Sequence, residues 1–194
     1  IIYATAMSQG MSPASVILYA PVVYEQHQDE KTWKPENYGR KIHGMVSLRD
    51  ALAHSHNLAT VRLLDKIGVK TVIEFAKTVG ITSPLAADLS LGLGSSSVGL
   101  MELTSTYCVL LNQGVRAEPY AIQFVKDNAG NVLELMEPHP QEVISKETAY
   151  LITNMMEDVI QKGTGHAAKG IGRPIAGKTG TTDEFINAWF ICGA

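Results

Sequence analysis

Apolar positions recur at helical spacing over several stretches, and turn residues separate them. Residues 1–9, "IIYATAMSQ", read as the tail of a helix stopped by Gly10 and Pro13. "VILYAPVVY", 16–24, is β-branched and aromatic and is broken by Pro21, so it predicts a short strand or extended segment. Glu25 to Gly44 is polar and turn-rich, a surface loop anchored by Trp33 and Tyr38. Ser47 then stands as a helix N-cap, with Asp50 at the third helical position. Leu48, Ala51 and Leu52 begin an apolar stripe that resumes at Val61, Leu64 and Ile67. Between them Ser55-His56-Asn57 is polar. Ser and Asn compete with the helix for backbone hydrogen bonds, so a joint between two helices is expected there.

Val69–Val79 predicts a further helix ending at Gly80, and Thr82-Ser83-Pro84 a turn. "SLGLGSSSVG" reads as a Gly/Ser loop, and 99–113 as a helix ending at Gly114. "YAIQFVKDNAGNVLEL" has two strand-like halves around Asn128-Ala129-Gly130-Asn131, a hairpin signal. Ser145 caps an amphipathic helix over Lys146 to Lys162, with Ile152, Met155, Met156, Val159 and Ile160 on its core side, stopped by Gly163-Thr164-Gly165. The last piece is two extended runs, "RPIAGKTGTT" and "NAWFICGA", joined by Asp183-Glu184-Phe185-Ile186. Strands thus collect toward the end of an otherwise helical chain.

Bulk properties narrow the function classes. The 194 residues suffice for one sizeable core, and 45% hydrophobic with 18% charged residues is ordinary for a globular domain. A net charge of −3 offers no basic surface for a phosphate backbone, so nucleic acid is not an expected partner. No apolar run reaches the length of a membrane span. Cys108 and Cys192 match no metal or redox spacing, and Cys108, in "TSTYCVLLN", is expected to be a buried free thiol. His54 and His56 diverge on a helix and have no third ligand at suitable spacing, so no metal is expected.

Gly172 to Thr179 spells G-x-x-x-x-G-K-T, the pattern of a phosphate-binding loop. Its context does not fit. "KGTGHAAKGI" before it makes no buried strand, Pro174 removes a backbone donor, and Gly180 follows where a helix should run. As a strand, "IAGKTGTT" puts Lys178, Gly180 and Thr182 on one face and Thr179 and Thr181 on the other. Such an edge can accept an extended peptide, the lysine supplies charge for an anion, and threonine hydroxyls suit a carboxylate.

Ser55-x-Asn57 and the Lys178-Thr179-Gly180 strand, about 120 residues apart and in that order, are two of the three motifs of penicilloyl serine transferases. The resemblance extends through "MVSLRDALAHSHNLATVRLLDKIG", "LSLGLGSSSVGLMELTSTYCVLLNQGVRAEPYAI" and "GTGHAAKGIGRPIAGKTGTTDEFINAWFICG". Along nearly the whole chain the sequence resembles the transpeptidase domain of class A (bifunctional) penicillin-binding proteins. Class A β-lactamases fit less well, because the long intervening segment follows the synthase wording.

That resemblance implies an α/β (α+β) fold of the penicilloyl serine transferase, β-lactamase-like type. An antiparallel sheet is flanked by helices, a helical subregion lies between the motifs, and the N-terminal part is missing. It implies a D,D-transpeptidase that cross-links peptidoglycan stem peptides and is acylated by β-lactams, with no cofactor. Ser55, Asn57 and Lys178 take catalytic positions; Thr179, Gly180, Thr181 and Thr182 bind the substrate. The family's third motif, S-x-x-K, is absent, since no serine here has a lysine three places on. The expectation is that it lies upstream, together with a glycosyltransferase domain and membrane anchor. Residues 1–194 are then the C-terminal portion of one transpeptidase domain, working on the outer face of the bacterial cytoplasmic membrane and inactive alone. Bared strand edges are expected to favour edge-to-edge dimers. The other reading, from a different class, is a non-catalytic peptidoglycan-binding or interaction module without a nucleophile.

Overall fold

The structure, a computed structural model, describes residues 1–25, 32–35, 44–181 and 188–194. Helix α1 (Ile2–Ser8) buries Tyr3, Ala4, Thr5, Ala6 and Met7, and the chain turns at Gly10 in the left-handed region, φ +86°. Strand β1 (Val16–Tyr19) pairs antiparallel not with the next strand but with β4 (Gly44–Ser47); between them β2 (Tyr24–Glu25) and β3 (Thr32–Trp33) form their own short ladder. Trp33 packs its ring against Tyr24, as a loop anchor should, with centroids 6.0 Å apart. Tyr38, the other expected anchor, lies outside the described residues.

Ser47 ends β4 and caps α2 (Leu48–Ala53): its Oγ accepts from the Asp50 N–H at 3.1 Å and donates to Asp50 Oδ2 at 2.8 Å. The expected joint follows, and α3 (Asn57–Ile67) and α4 (Val69–Thr78) succeed one another with Gly68 at φ +90° between them. The stretch read as a Gly/Ser loop instead contains a 3-10 turn over Leu89–Leu93, capped by the Asp88 carboxylate and ended by left-handed Gly94. Its Leu89 and Leu91 lean on the core, which a polar-looking Gly/Ser window hides.

Helix α5 (Leu100–Leu111) corrects the reading of Cys108, whose thiol is exposed. The buried residues of α5 are Thr106, Val109 and Leu110; at 100° per residue Cys108 falls on the opposite face. Strand β5 (Val115–Arg116) pairs with β8 (Gln141–Glu142), and the predicted hairpin is β6 (Phe124–Lys126) with β7 (Val132–Leu135). Asp127 closes its turn, accepting from the Ala129 and Asn131 backbone N–H groups at 2.9 and 2.8 Å.

Helix α6 (Lys146–Gln161), capped by Ser145, runs through the centre. Ile152, Met155, Met156, Val159 and Ile160 are buried as expected, against α1, α2 and α5. Arg49 on α2 reaches across to α6, donating to Asp158 Oδ2 at 2.7 Å and Asn154 Oδ1 at 2.8 Å. Strand β9 (Ala176–Thr181) lies along α6 and pairs antiparallel with β10 (Ala188–Gly193). The segment expected to join these strands lies outside the described residues.

Candidate active site

The joint between α2 and α3 is built on one unusual residue. Ser55 adopts φ +55°, a left-handed conformation that a non-glycine residue enters at some cost. The turn is fixed by the Ser55 N–H donating to Leu52 O at 3.2 Å and the His56 N–H to Ala51 O at 2.9 Å. Tyr19 of β1 stacks on the His56 ring at 4.2 Å and supports the joint from below. Tyr3 on α1 hydrogen-bonds Thr60 Oγ1 at 2.8 Å and so ties α1 to α3; burial holds the Tyr3 phenol well above its usual pKa.

Strand β9 supplies the other wall. The first glycine of "GKTG", Gly177, faces Cys192 on β10, where a Cβ would stand 2.7 Å from both Cys192 Cβ and Ile191 O. Only glycine lets the two strands approach this closely. Lys178 next to it crosses to the joint: its Nζ donates to Ser55 Oγ at 2.9 Å and to its neighbour's carbonyl, Thr179 O, at 2.9 Å. Burial lowers the Lys178 pKa from its ordinary 10.5 to about 8. A lysine so placed holds positive charge at neutral pH and can still give up or take a proton through the hydroxyl it touches.

Thr179 is the next residue along β9. Its hydroxyl meets that of Thr164 at 2.6 Å. Ser55, Asn57, Lys178, Thr179, Gly180 and Thr181 all line one cavity of about 380 Å³, which Tyr3 and Thr60 also border. Six of the seven residues expected from the sequence therefore meet around a single space; the seventh, Thr182, lies outside the described residues. Gly180 leaves the cavity side open, with nothing within 4 Å of the position a Cβ would take. The phosphate-loop alternative is excluded by the backbone, because Lys178 and Thr179 sit inside a strand and not at a helix N-terminus. Sequence reasoning missed Thr164, read only as part of a helix stop; its two flanking glycines were the available signal of a close approach.

The chain matches the family model "Penicillin binding protein transpeptidase domain" over residues 1–188. It is 40% identical over 191 residues to "Penicillin-binding protein 1A" of Aquifex aeolicus, covering 98% of this chain and 26% of the relative. With "Penicillin-binding protein 1A" of Neisseria lactamica it shares 32% over 198 residues, 98% of this chain and 25% of the relative. It thus spans about a quarter of the length of these relatives. Among solved structures it superposes on Penicillin-Binding Protein 1A from Haemophilus influenzae with a TM-score of 0.90 at 28% identity, over 97% of this chain and 34% of that one. The mixed helix-and-strand architecture, with small antiparallel ladders flanked by helices, is therefore that of the penicilloyl serine transferases. Family model, sequence relatives and superposed fold agree along nearly the full length, and the chain belongs to the penicillin-binding protein transpeptidase family.

Proposed function

We propose that this chain carries the substrate-facing part of a D,D-transpeptidase that cross-links peptidoglycan stem peptides by serine acyl transfer and is blocked by β-lactams. The observation that carries the reading is the 2.9 Å contact between Lys178 Nζ and Ser55 Oγ at the head of a cavity whose strand edge offers threonines. In this reading a serine hydroxyl attacks the carbonyl carbon of the D-Ala–D-Ala peptide bond; the C–N bond breaks and D-Ala leaves as the amine. An amine of a second stem then displaces the serine oxygen from the acyl-enzyme. Ser55 and Lys178 relay the proton that the departing amine needs, and Asn57 holds the donor's amide. Thr179 and Thr181, with Gly180 and Thr182 beside them, bind the terminal carboxylate of the donor. The Thr181 N–H forms half of the oxyanion hole.

The nucleophilic serine and its lysine belong to an S-x-x-K segment that the 194 residues do not contain. Residues 1–194 are accordingly read as the C-terminal portion of one transpeptidase domain, inactive alone, within a membrane-anchored protein that also carries a glycosyltransferase domain. Its place of work is the outer face of the bacterial cytoplasmic membrane. Among the described residues no helix is long and apolar enough to cross a membrane.

The absent motif also supports the other reading, a folded module that binds peptidoglycan without reacting. Fluorescent penicillin separates the two. The expected result is a covalent band on denaturing gels for a chain extended upstream through an S-x-x-K segment, and none for the 194-residue chain. An extended chain that binds penicillin only reversibly establishes the non-catalytic module. Labelling of the 194-residue chain itself would mean that the nucleophile has been misplaced.

A further inference from the structure

The turn that stops α6 is pressed onto the end of α2. Thr164 donates its backbone N–H to Ala53 O at 3.1 Å, and a Cβ on Gly163 would stand 2.0 Å from that same oxygen. Gly165 is held in turn by its N–H to Val159 O at 2.9 Å, and a Cβ on it would stand 2.7 Å from Ile160 Cδ1. Thr164 is thereby fixed to Ala53, two residues before Ser55 in the chain, while its hydroxyl meets Thr179 Oγ1 at 2.6 Å. One residue thus touches the end of the helix before the Ser-x-Asn joint with its backbone and the Lys-Thr-Gly strand with its side chain. Thr179 lines the cavity; Thr164, exposed to solvent beside it, does not.

The direction of this hydrogen bond decides what Thr179 can offer. A threonine hydroxyl has one hydrogen and two acceptor lone pairs. If Thr179 donates to Thr164, it turns only lone pairs toward the cavity and repels an anion. If Thr164 donates, the Thr179 hydrogen is released toward the cavity, and a carboxylate there completes a chain of two hydroxyls, each polarising the next. We propose that Thr164 is a positioning residue whose hydroxyl donates to Thr179 and so aims the Thr179 O–H at a substrate carboxylate. The inference deepens the carboxylate site of the proposed function and rests on it.

The test compares two ligands on the 194-residue chain by NMR titration: an acyl-D-Ala-D-Ala peptide with a free carboxylate, and the same peptide as its C-terminal amide. The unaltered chain is expected to prefer the carboxylate. Thr164→Val should weaken the carboxylate peptide by roughly 3- to 10-fold, the scale of one hydrogen bond, and leave the amide unchanged. Thr164→Ser, which keeps the hydroxyl, should restore the preference. A general loosening of the fold would weaken both peptides and would not be rescued by serine, and that pattern overturns the proposal. So does a Thr164→Val chain that keeps its full preference. If the unaltered chain shows no preference, the carboxylate-site reading itself falls and takes this inference with it.

Discussion

At the scale of single residues, Lys178 links the site to stability. Its pKa falls from 10.5 to about 8 because burial disfavours the ammonium, so between these values the unfolded chain binds more protons than the folded one. Stability therefore rises with pH from about 8 toward 10.5, and below 8 this group contributes no slope. Burial acts the other way on the phenols: Tyr107 is pushed up to about 12, and Tyr3 is also raised, so they remove stability as pH climbs past their ordinary 10.0. The window in which the lysine acts clear of these phenols is thus pH 8 to about 10. Urea midpoints measured across it should climb for the unaltered chain and stay level for Lys178→Met; equal slopes would show that Lys178 is not desolvated. None of this was legible from "GKTG" by itself. The strand reading put a lysine on an edge, but its depressed pKa comes from burial, in a cavity lined also by residues as far away in sequence as Ser55, 123 positions off.

At the scale of elements, legibility followed local chemistry. The starts of α2 and α6 were read from Ser47 and Ser145, because a cap is an interaction between neighbours in sequence. The hairpin was read from its turn, and the α2–α3 joint from polar residues that interrupt an apolar stripe. What failed was whatever needed a third dimension. Cys108 has apolar neighbours in sequence and an exposed face in the helix, and the 3-10 turn at Leu89–Leu93 is held by leucines that meet a core built elsewhere. The α6 stop was read where it falls, but its glycines look like ordinary punctuation in the sequence, and only the fold sets one of them against Ala53 O. Two substitutions measure the difference. Ser145→Ala should cost about 1 kcal/mol, the loss of one cap. Gly163→Ala should cost more than about 3 kcal/mol, because its Cβ would overlap a backbone oxygen that has no freedom to retreat. Chemical denaturation of the two variants tests the ranking, and a Gly163→Ala chain as stable as Ser145→Ala would show that the turn can lift off α2.

For the whole molecule, the arrangement around α6 predicts where stability resides. This helix packs against α1, α2, α5 and β9, and its Met155, Val159 and Ile160 are almost completely buried. Elements of the site are anchored to it directly: α2 through Arg49 and Asp158, and β9 along its length. The β6–β7 hairpin is at the other extreme, with every residue of both strands exposed, including Phe124, Val132, Leu133 and Leu135. Two strands alone are marginal in water, so the hairpin should open without disturbing the rest. Native-state hydrogen exchange is expected to find amides of 152–160 exchanging only by global unfolding, and those of 124–135 exchanging orders of magnitude faster. Rapid exchange throughout α6 would overturn this picture, because the site would then have no rigid frame. Protection of the hairpin at low protein concentration would likewise show that it is held by its own chain. Protection that grows with concentration has a different meaning: the bare strands are then paired edge to edge in a dimer, a contact remote from α6 that leaves the Ser55–Lys178 cavity on its own support.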